Sequence, residues 1–315
     1  AGFGYGSTTA WSMAEDEAHS VLDSTIAMRK LLVGGSLSGK VVVVGHSQGG
    51  HAAIASQAYA KSYGLEGELV GVAAFAPLWI NSGAWGAALS SLVGLNTKDN
   101  AGTIAYTLDY YYGHGELLDG AGHGGDVFKE DKRAQLKEIL TTKCQHDVEA
   151  ALPSVGEKPG DLYSGGFVLG ITTCELTGAC VGSDASKWHD RFRADRPAID
   201  AHGAPIVVWA GGKDTAISPG RIKCALDRMQ VDLGDADKPT TQIKLCGDAT
   251  AVHSGFVGAR PDISDGITRR GMTWVDQWIA ARTLGEAEPA ECAGEDAISG
   301  GKTLKCETPP SNKDY

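Results

Sequence analysis

The chain has 315 residues, of which 42% are hydrophobic and 21% are charged, so we expect one or two globular domains with a large core. Its formal net charge of −11 disfavours binding to the phosphate backbone of nucleic acids. No apolar run approaches the ~18 residues that a membrane-spanning helix needs.

The first quarter of the chain contains the first two predicted strands. After a loop at 1–12, apolar residues recur at helical spacing over 13–32, and residues 41–44 are consecutive valines. A continuous β-branched run of this kind is typical of a strand buried on both faces. A helix of small residues at 48–63 and a second buried strand at 69–75 follow.

The next strand of this quality, PIVVW at 205–209, comes about 127 residues after Pro77, and a structureless insertion of that length is rare. Within this stretch we predict helices at 103–112, 128–141 and 145–152. We therefore expect a helical cap or lid subdomain over 78–204, inserted into a core made of 1–77 and 205–284.

The last part of the chain supplies a helix at 219–229, a strand at 241–245, a helix at 267–284 and a polar tail at 285–315. Strands that alternate with helices predict an α/β fold with a mostly parallel sheet. In such a fold the functional loops lie at the carboxyl ends of the strands.

The pentapeptide GHSQG, residues 45–49, follows the valine run and has the G-x-S-x-G spacing of a nucleophile elbow. We expect glycine at 45 and 49 because a side chain at either position would collide with the neighbouring backbone. The turn then exposes the Ser47 hydroxyl, and the Gln48 N–H at the start of the next helix can stabilise an oxyanion. An ordinary turn serine is the alternative, since this spacing also occurs by chance.

A serine nucleophile needs a base, and folds with this elbow use the chain order serine, acid, histidine. Asp214 follows the strand at 205–209, and His253 follows the last strand. We predict that His253 takes the Ser47 proton and that Asp214 orients the imidazole. The alternatives are that Asp214 caps a turn, that Asp248 is the acid, and that His253 is an ordinary loop histidine.

Other histidines and serines fit a catalytic role less well. His114 and His123 lie in a glycine-rich segment that suggests a metal site, but no further ligand pattern accompanies them, so a cap loop is favoured. Ser164, in YSGG, lacks the preceding glycine and the strand of an elbow. We therefore expect no metal and no cofactor.

Large apolar residues follow the second strand at Trp79, Ile80 and Trp85. They would line an acyl pocket at the mouth of the sheet. Packing of the cap onto the core explains them equally well.

The seven cysteines include no C-x-x-C pair, which excludes zinc-ribbon and thioredoxin-like interpretations. Pairing neighbours along the chain predicts three disulfides, Cys174–Cys180, Cys224–Cys246 and Cys292–Cys306. Disulfides indicate an oxidising, extracytoplasmic location, and reduced cysteines in a cytosolic protein are the alternative. Cys144 is left over, either as a buried thiol or with a partner outside this chain.

Three segments resemble the secretory lipase family of α/β-hydrolases, which are secreted lipases and esterases with a large helical cap. They are GHSQGGHAA after the valine strand, the GxxD that follows PIVVW, and VHSG near the end. GFGYGST and EDEAHSVLDSTIAMRKLL are also similar to the segment that leads into that family's elbow. The resemblance covers roughly residues 1–284. It implies triad roles for Ser47, Asp214 and His253, cofactor-free hydrolysis of carboxylic esters, and a lid formed by the cap.

The sequence departs from that family before the elbow, where only 40 residues precede Val41. They leave no room for the first four strands of the family's sheet, or for the loop that carries its second oxyanion donor. The strand at 41–44 would then have a bare apolar edge. The chain also starts at Ala1, without Met or a signal sequence, so we expect a processed or incomplete chain. An associated N-terminal segment would supply the missing strands and a partner for Cys144.

We predict a secreted serine hydrolase, a lipase or esterase that acts on lipid or other short-to-medium acyl esters. Its partners would be the ester substrate and, as an option, a lipid interface. An acyltransferase or a serine peptidase on the same fold is the alternative enzyme. A non-catalytic binding protein with a hydrolase fold is the alternative of a different class.

Overall fold

A computed structural model describes residues 8–9, 11–32, 37–80, 89, 95–255 and 268–307, and the statements below refer to these residues. The chain divides into two compact units. A helical unit comprises Ala1–Asp16, Ile80–Asp195 and Pro309–Tyr315, and a sheet unit comprises Glu17–Trp79 and Arg196–Thr308.

The strands and helices are as follows in chain order. The strands are β1 Lys40–His46, β2 Glu68–Phe75, β3 Ile206–Gly211 and β4 Ile243–Asp248. The helices are α1 Ala14–Leu31, α2 Gln48–Tyr63, α3 Ala101–His114, α4 Arg133–Thr142, α5 Gln145–Val155, α6 Pro159–Leu162, α7 Gly165–Thr177, α8 Ser183–Ala194, α9 Pro219–Gly234, α10 Thr268–Leu284 and α11 Glu295–Ser299. Short π and 3₁₀ turns occur at Gly115–Asp119, Glu130–Lys132 and His253–Gly255.

The sheet unit is built on one parallel sheet with the strand order β1-β2-β3-β4. The apolar runs predicted as strands form β1, β2 and β3, and all six residues of β3 are buried. The strands are parallel because a helix connects one strand to the next, so every strand ends at the same edge of the sheet.

Aromatic side chains fill the core between the sheet and α10. Phe75 on β2 stacks on Trp209 of β3 with ring centroids 6.2 Å apart, and Val275 and Trp278 of α10 pack on the same cluster. Gly71 of β2 lets the Trp278 ring approach, because a side chain at position 71 would overlap that ring. Each large apolar side chain buried here contributes about 1.5–3 kcal/mol.

The helical unit has a separate aromatic core, centred on α3. The rings of Tyr110 and Tyr111 contact Trp188 and Phe192 of α8, and Tyr111 also contacts Phe167 of α7. Both tyrosine side chains and Phe192 are completely buried. This cluster holds α3, α7 and α8 together.

The sequence did not predict α6, α7 and α8. The α7 sequence contains three glycines and several β-branched residues, which individually disfavour a helix. Its start is fixed by Ser164, whose Oγ accepts a hydrogen bond from the Phe167 N–H at 3.3 Å. Burial of Phe167 and this cap together outweigh the weak helix propensity of the α7 sequence. Ser164 therefore has a role as a helix cap.

The structure corrects two of the three predicted disulfides. It forms Cys174–Cys180 as predicted, but it pairs Cys224 with Cys306 and Cys246 with Cys292. Cys144 is unpaired and exposed, so it is not the buried thiol that was one of the two expectations.

The new pairing follows from the path of the tail, which runs back along β4 and α9 instead of folding on itself. The Gly247 N–H on β4 donates to the Ala293 carbonyl at 2.6 Å, and the Ser218 hydroxyl before α9 donates to Glu307 at 2.7 Å. The two bonds close loops with separations of 46 and 82 residues. In the chain-entropy model, loops of that length contribute roughly 4 kcal/mol each.

Among the described residues β1 is an end strand of the sheet, and the side chain of Val44 on it is 40% exposed. The expectation that further strands pair with this edge stays a prediction. None of the helices in the described part of the chain has the length and apolar character that a membrane crossing requires.

Candidate active site

The three predicted triad residues follow three different strands of the sheet. Ser47 comes directly after β1, Asp214 comes after β3, and His253 comes after β4. Because the strands are parallel, the three loops emerge at the same edge of the sheet. The structure brings the three side chains together there.

The side chains form a continuous hydrogen-bonded row. His253 Nε2 lies 2.8 Å from Ser47 Oγ, and His253 Nδ1 lies 2.8 Å from Asp214 Oδ2. The Asp214 side chain is fully buried, whereas the His253 side chain is 26% exposed. A buried carboxylate only accepts, so Nδ1 carries the proton and Nε2 is left to accept the serine proton.

Ser47 sits on a strained turn. Its backbone has φ 56° and ψ −119°, a conformation that non-glycine residues rarely adopt. Two backbone hydrogen bonds tie it to the end of β2 and the residues just after it, from the Ser47 N–H to the Phe75 carbonyl and from the Leu78 N–H to the Ser47 carbonyl, both at 2.9 Å. Strain of this kind persists only where the surroundings fix the backbone, and it is typical of functional sites.

Only one of the two elbow glycines has the role that the sequence predicted. A side chain at Gly45 would overlap the backbone of Gly49, as expected, but a side chain at Gly49 would meet nothing within 4 Å. The second crowded position is Gly50, where a Cβ would lie 2.8 Å from the Cα of Pro77. The reason is that α2 packs against the end of β2 through Gly50, so the close approach falls one residue later.

Asp214 is both the partner of His253 and the cap of its own turn. Its Oδ1 accepts hydrogen bonds from the N–H groups of Ala216 and Ile217, at 2.9 and 2.8 Å. The competing acid Asp248 is used elsewhere, since its Oδ1 accepts from the Thr250 N–H and hydroxyl. Asp214 therefore caps the turn with Oδ1, as the alternative prediction stated, and Oδ2 remains available to the imidazole of His253.

The loops that carry Asp214 and His253 are bonded to each other. The Gly212 N–H donates to the Asp248 carbonyl at 2.8 Å, and the Lys213 N–H donates to the Ala251 carbonyl at 3.0 Å. A side chain at Gly212 would lie 2.9 Å from the Ala249 carbonyl oxygen, so glycine allows this approach. These bonds fix the distance between the acid and the imidazole.

His46, which precedes the serine, is a site residue that the sequence analysis missed. Its Nε2 donates to the backbone carbonyl of His253 at 2.6 Å, and the two rings lie 4.7 Å apart. Burial lowers the pKa of His46, and its nearness to the His253 ring acts in the same direction. A neutral His46 thus ties the His253 loop to the elbow.

Gln48 is the first residue of α2, as the elbow pattern predicts. Its N–H lies in the first turn, where helix amides have no acceptor within the helix and can bind an anion. Glu17 on α1 is a further site residue that the sequence motifs did not predict. Its carboxylate accepts a hydrogen bond from the Gln48 side chain and contacts His51 Nδ1 at 2.6 Å. The sequence signal for Glu17 was the presence of a carboxylate on the apolar stripe of α1, beside the fully buried Ala18.

Trp79 and Ile80, proposed for an acyl pocket, are almost completely buried. Trp85, the third residue of that prediction, lies outside the described residues. Both interpretations of these side chains, as pocket lining or as packing, stay predictions.

The two histidines that suggested a metal site do not share a ligand set. His114 is buried with its Nε2 2.7 Å from Asp195, while His123 bonds to Asp126 at the surface. In the described ranges one group has ligand atoms close enough for a metal ion, namely Cys174, Cys180 and His189, and its two cysteines form a disulfide.

Solved structures with similar folds include esterases and lipases. LipA, a rice cell wall degrading esterase from Xanthomonas oryzae, is 18% identical with a TM-score of 0.58, over 89% of this chain and 68% of LipA. Candida antarctica lipase A in its closed state is 15% identical with a TM-score of 0.52, over 95% of this chain and 68% of the lipase.

The similarity lies in the structures and is weak in the sequences. No model of a protein family matches the chain, and no curated protein matches it. The chain spans between 61% and 68% of the length of the solved structures that it resembles. The parallel sheet with its flanking helices and the matches to lipases and esterases agree on one conclusion, that the chain has the α/β-hydrolase fold.

Proposed function

We propose that this chain is a serine hydrolase that cleaves carboxylic esters, as a lipase or esterase of the secretory lipase type. The observation that carries the proposal is the row of hydrogen bonds from Asp214 through His253 to Ser47, with the serine on a strained turn. The esterases and lipases among the structures with similar folds support the same reaction class.

The chemistry follows from the distances. His253 Nε2 takes the Ser47 proton while Oγ attacks the ester carbonyl carbon, and the carbonyl π electrons move to the oxygen. The Gln48 N–H, at the start of α2, stabilises that oxyanion. The oxyanion collapses, His253 gives its proton to the departing alkoxide, and an acyl-serine remains. A water molecule then repeats the sequence, so that a carboxylic acid leaves and Ser47 is restored.

The substrates we propose are lipid or other short-to-medium acyl esters. The three disulfides support an oxidising location outside the cytoplasm, and we propose that the protein is secreted. The partly exposed imidazole supports access of a small molecule to Ser47.

An acyltransferase and a peptidase form the same acyl-serine and differ in the group that is cleaved or that accepts the acyl chain. No specific contact among the described residues favours them over an esterase. A binding protein of this fold without activity differs more sharply, because it would have no need of an activated serine.

The experiment is a fluorophosphonate titration followed by hydrolysis of p-nitrophenyl esters of increasing acyl length. We expect stoichiometric labelling, and the Ser47→Ala variant should lose the label and about 10⁶-fold in kcat. The matched control is Ser56→Ala, within α2, where the Ser56 hydroxyl donates to the Ala52 carbonyl. A wild-type chain that is folded, unlabelled and inactive would contradict the proposal.

A further inference from the structure

The first turn of α2 is held from the side by a carboxylate on α1. Glu17 accepts a hydrogen bond from the side-chain amide of Gln48 through Oε1, and its Oε2 lies 2.6 Å from His51 Nδ1. The Glu17 side chain is 8% exposed and the His51 side chain is completely buried. All three residues belong to the sheet unit.

Burying a carboxylate costs free energy unless hydrogen-bond donors satisfy it, and Gln48 and His51 supply donors to Glu17. A carboxylate only accepts, so His51 Nδ1 is the donor in its contact with Glu17. The amino end of α2 also stabilises a negative charge, because the N–H groups of its first turn point towards that end. The position of the Glu17 carboxylate is therefore favourable, and both of its partners, Gln48 and His51, lie in the first turn of α2.

The contact matters because Gln48 has two functions at once. Its side chain is fixed by Glu17, and its backbone N–H is the proposed oxyanion donor, directly after the strained Ser47. An oxyanion donor is effective only when it is held in place before the charge develops. Fixing the side chain of Gln48 limits rotation of the peptide group that carries this N–H.

We propose that Glu17 is a positioning residue for the oxyanion donor: through Gln48 and His51 it holds the first turn of α2 in the orientation that binds the transition state. This inference rests on the proposed ester hydrolase function. Glu17 touches neither the substrate nor the reacting atoms, so it acts through Gln48.

The test compares Glu17→Ala, Glu17→Gln and the control Glu15→Gln, which changes an exposed carboxylate on the same helix. The kcat of each variant is divided by the number of serines that a fluorophosphonate titrates, which removes any unfolded fraction. We expect Glu17→Ala to lower this kcat about 10–100-fold with KM changed less than about twofold, because misplacing one donor weakens only the transition state. Glu17→Gln keeps an acceptor for Gln48 and should recover most of the loss.

Two further measurements separate positioning from general stability. The acid limb of the pH profile should be the same in all variants, since the triad is untouched. Should Glu17→Ala fail to fold, Gln48→Met removes the same contact from the other side and leaves the Glu17–His51 pair. It should lower kcat per titrated serine by a similar factor. Where Glu17→Ala does fold, the Glu17→Ala/Gln48→Met double variant should lose no more than either single variant.

The outcomes distinguish this inference from the proposed function. A wild-type chain with no titratable serine and no ester hydrolysis would overturn both. An active wild type whose Glu17→Ala or Gln48→Met variant keeps kcat per titrated serine within twofold would overturn the positioning role alone. A loss that Glu17→Gln does not recover, with a shifted acid limb, would also overturn it, because the charge and not the hydrogen bond would then matter.

Discussion

The sheet unit and the helical unit each contain a histidine bonded to a buried carboxylate, at nearly the same distance. His253 Nδ1 lies 2.8 Å from Asp214, and His114 Nε2 lies 2.7 Å from Asp195. The difference is the second nitrogen of each ring. His253 Nε2 faces Ser47 Oγ at 2.8 Å, whereas His114 Nδ1 faces the Tyr110 carbonyl in its own helix.

Their surroundings differ in the same sense. His114 is completely buried among aromatic rings, and its Asp195 also accepts the Tyr110 hydroxyl at 2.6 Å and the Ala14 N–H at 3.2 Å. His253 follows the end of a strand, and a quarter of its side chain is exposed. A histidine–carboxylate pair is therefore no sign of catalysis by itself. What distinguishes the two is a ring nitrogen that faces a nucleophile which solvent can reach.

Among the variants that test this comparison, Asp214→Asn has the largest expected effect. We expect kcat to fall about 10⁴-fold, because the imidazole loses the partner that sets its tautomer. The asparagine oxygen can still accept the turn hydrogen bonds, so the free energy of unfolding should change much less. The measurements are p-nitrophenyl ester hydrolysis and urea unfolding, with Asp248→Asn as the matched control. If the Asp214→Asn variant kept more than a tenth of the wild-type kcat, Asp214 would not act in catalysis, and the proposed difference between the two histidine–carboxylate pairs would fail.

Asp195→Asn should have the opposite profile. Breaking a buried pair by altering one partner costs about 3–5 kcal/mol of unfolding free energy, while kcat per fluorophosphonate-titrated serine should stay within about twofold of wild type. Asp190→Asn, at an exposed position of α8, is the control and should be neutral in both. A large fall in kcat with no change in stability would show that the His114–Asp195 pair takes part in the reaction, which contradicts the structural role assigned to it.

The smallest effect concerns Asp109, a carboxyl on α3 that is 9% exposed and whose Oδ2 has no hydrogen-bond partner among the described residues. Burial raises the pKa of Asp109 from 3.8 to about 7. The native state then keeps a proton that the unfolded chain releases above pH ~4, so stability falls as the pH rises towards 7. This one proton should lower the free energy of unfolding by about 1 kcal/mol between pH 6 and 8.

Urea unfolding at the two pH values measures this effect, and Asp109→Asn should abolish the Asp109 share of the change. Asp99→Asn, an exposed carboxyl that precedes the same helix, is the control. An identical pH dependence in wild type and Asp109→Asn would show that the carboxyl titrates normally despite its burial.

The sequence predicted the parts of the fold and of the site that local patterns encode. The valine run gave β1, and the glycine spacing with the chain order of serine, acid and histidine predicted which three side chains meet. The valine run and the glycine spacing are patterns of a few neighbouring residues. The meeting of serine, acid and histidine follows because parallel strands end at one edge of the sheet. Gly50 escaped notice because its close approach is to Pro77, on a different segment.

Features that depend on distant segments could not be predicted in this way. Cysteines were paired with their neighbours along the chain, but the tail runs back along β4, and no local pattern encodes that path. The Glu17–Gln48 contact depends on where α1 crosses α2. The helix α7 forms because Phe167 is buried, although its glycines locally oppose a helix.

The two long-range disulfides also bear on proteolysis. The Cys246–Cys292 bond closes a ring of chain that contains His253, and Cys224–Cys306 closes a larger ring around it. A single cut between Cys246 and Cys292 opens the smaller ring, but both sides of the cut stay covalently linked, one through the backbone to β4 and the other through the disulfide. The severed piece then stays at a high effective concentration beside the sheet and can rebind. In surroundings rich in proteases, release of the histidine segment would require a second cut or a reductant.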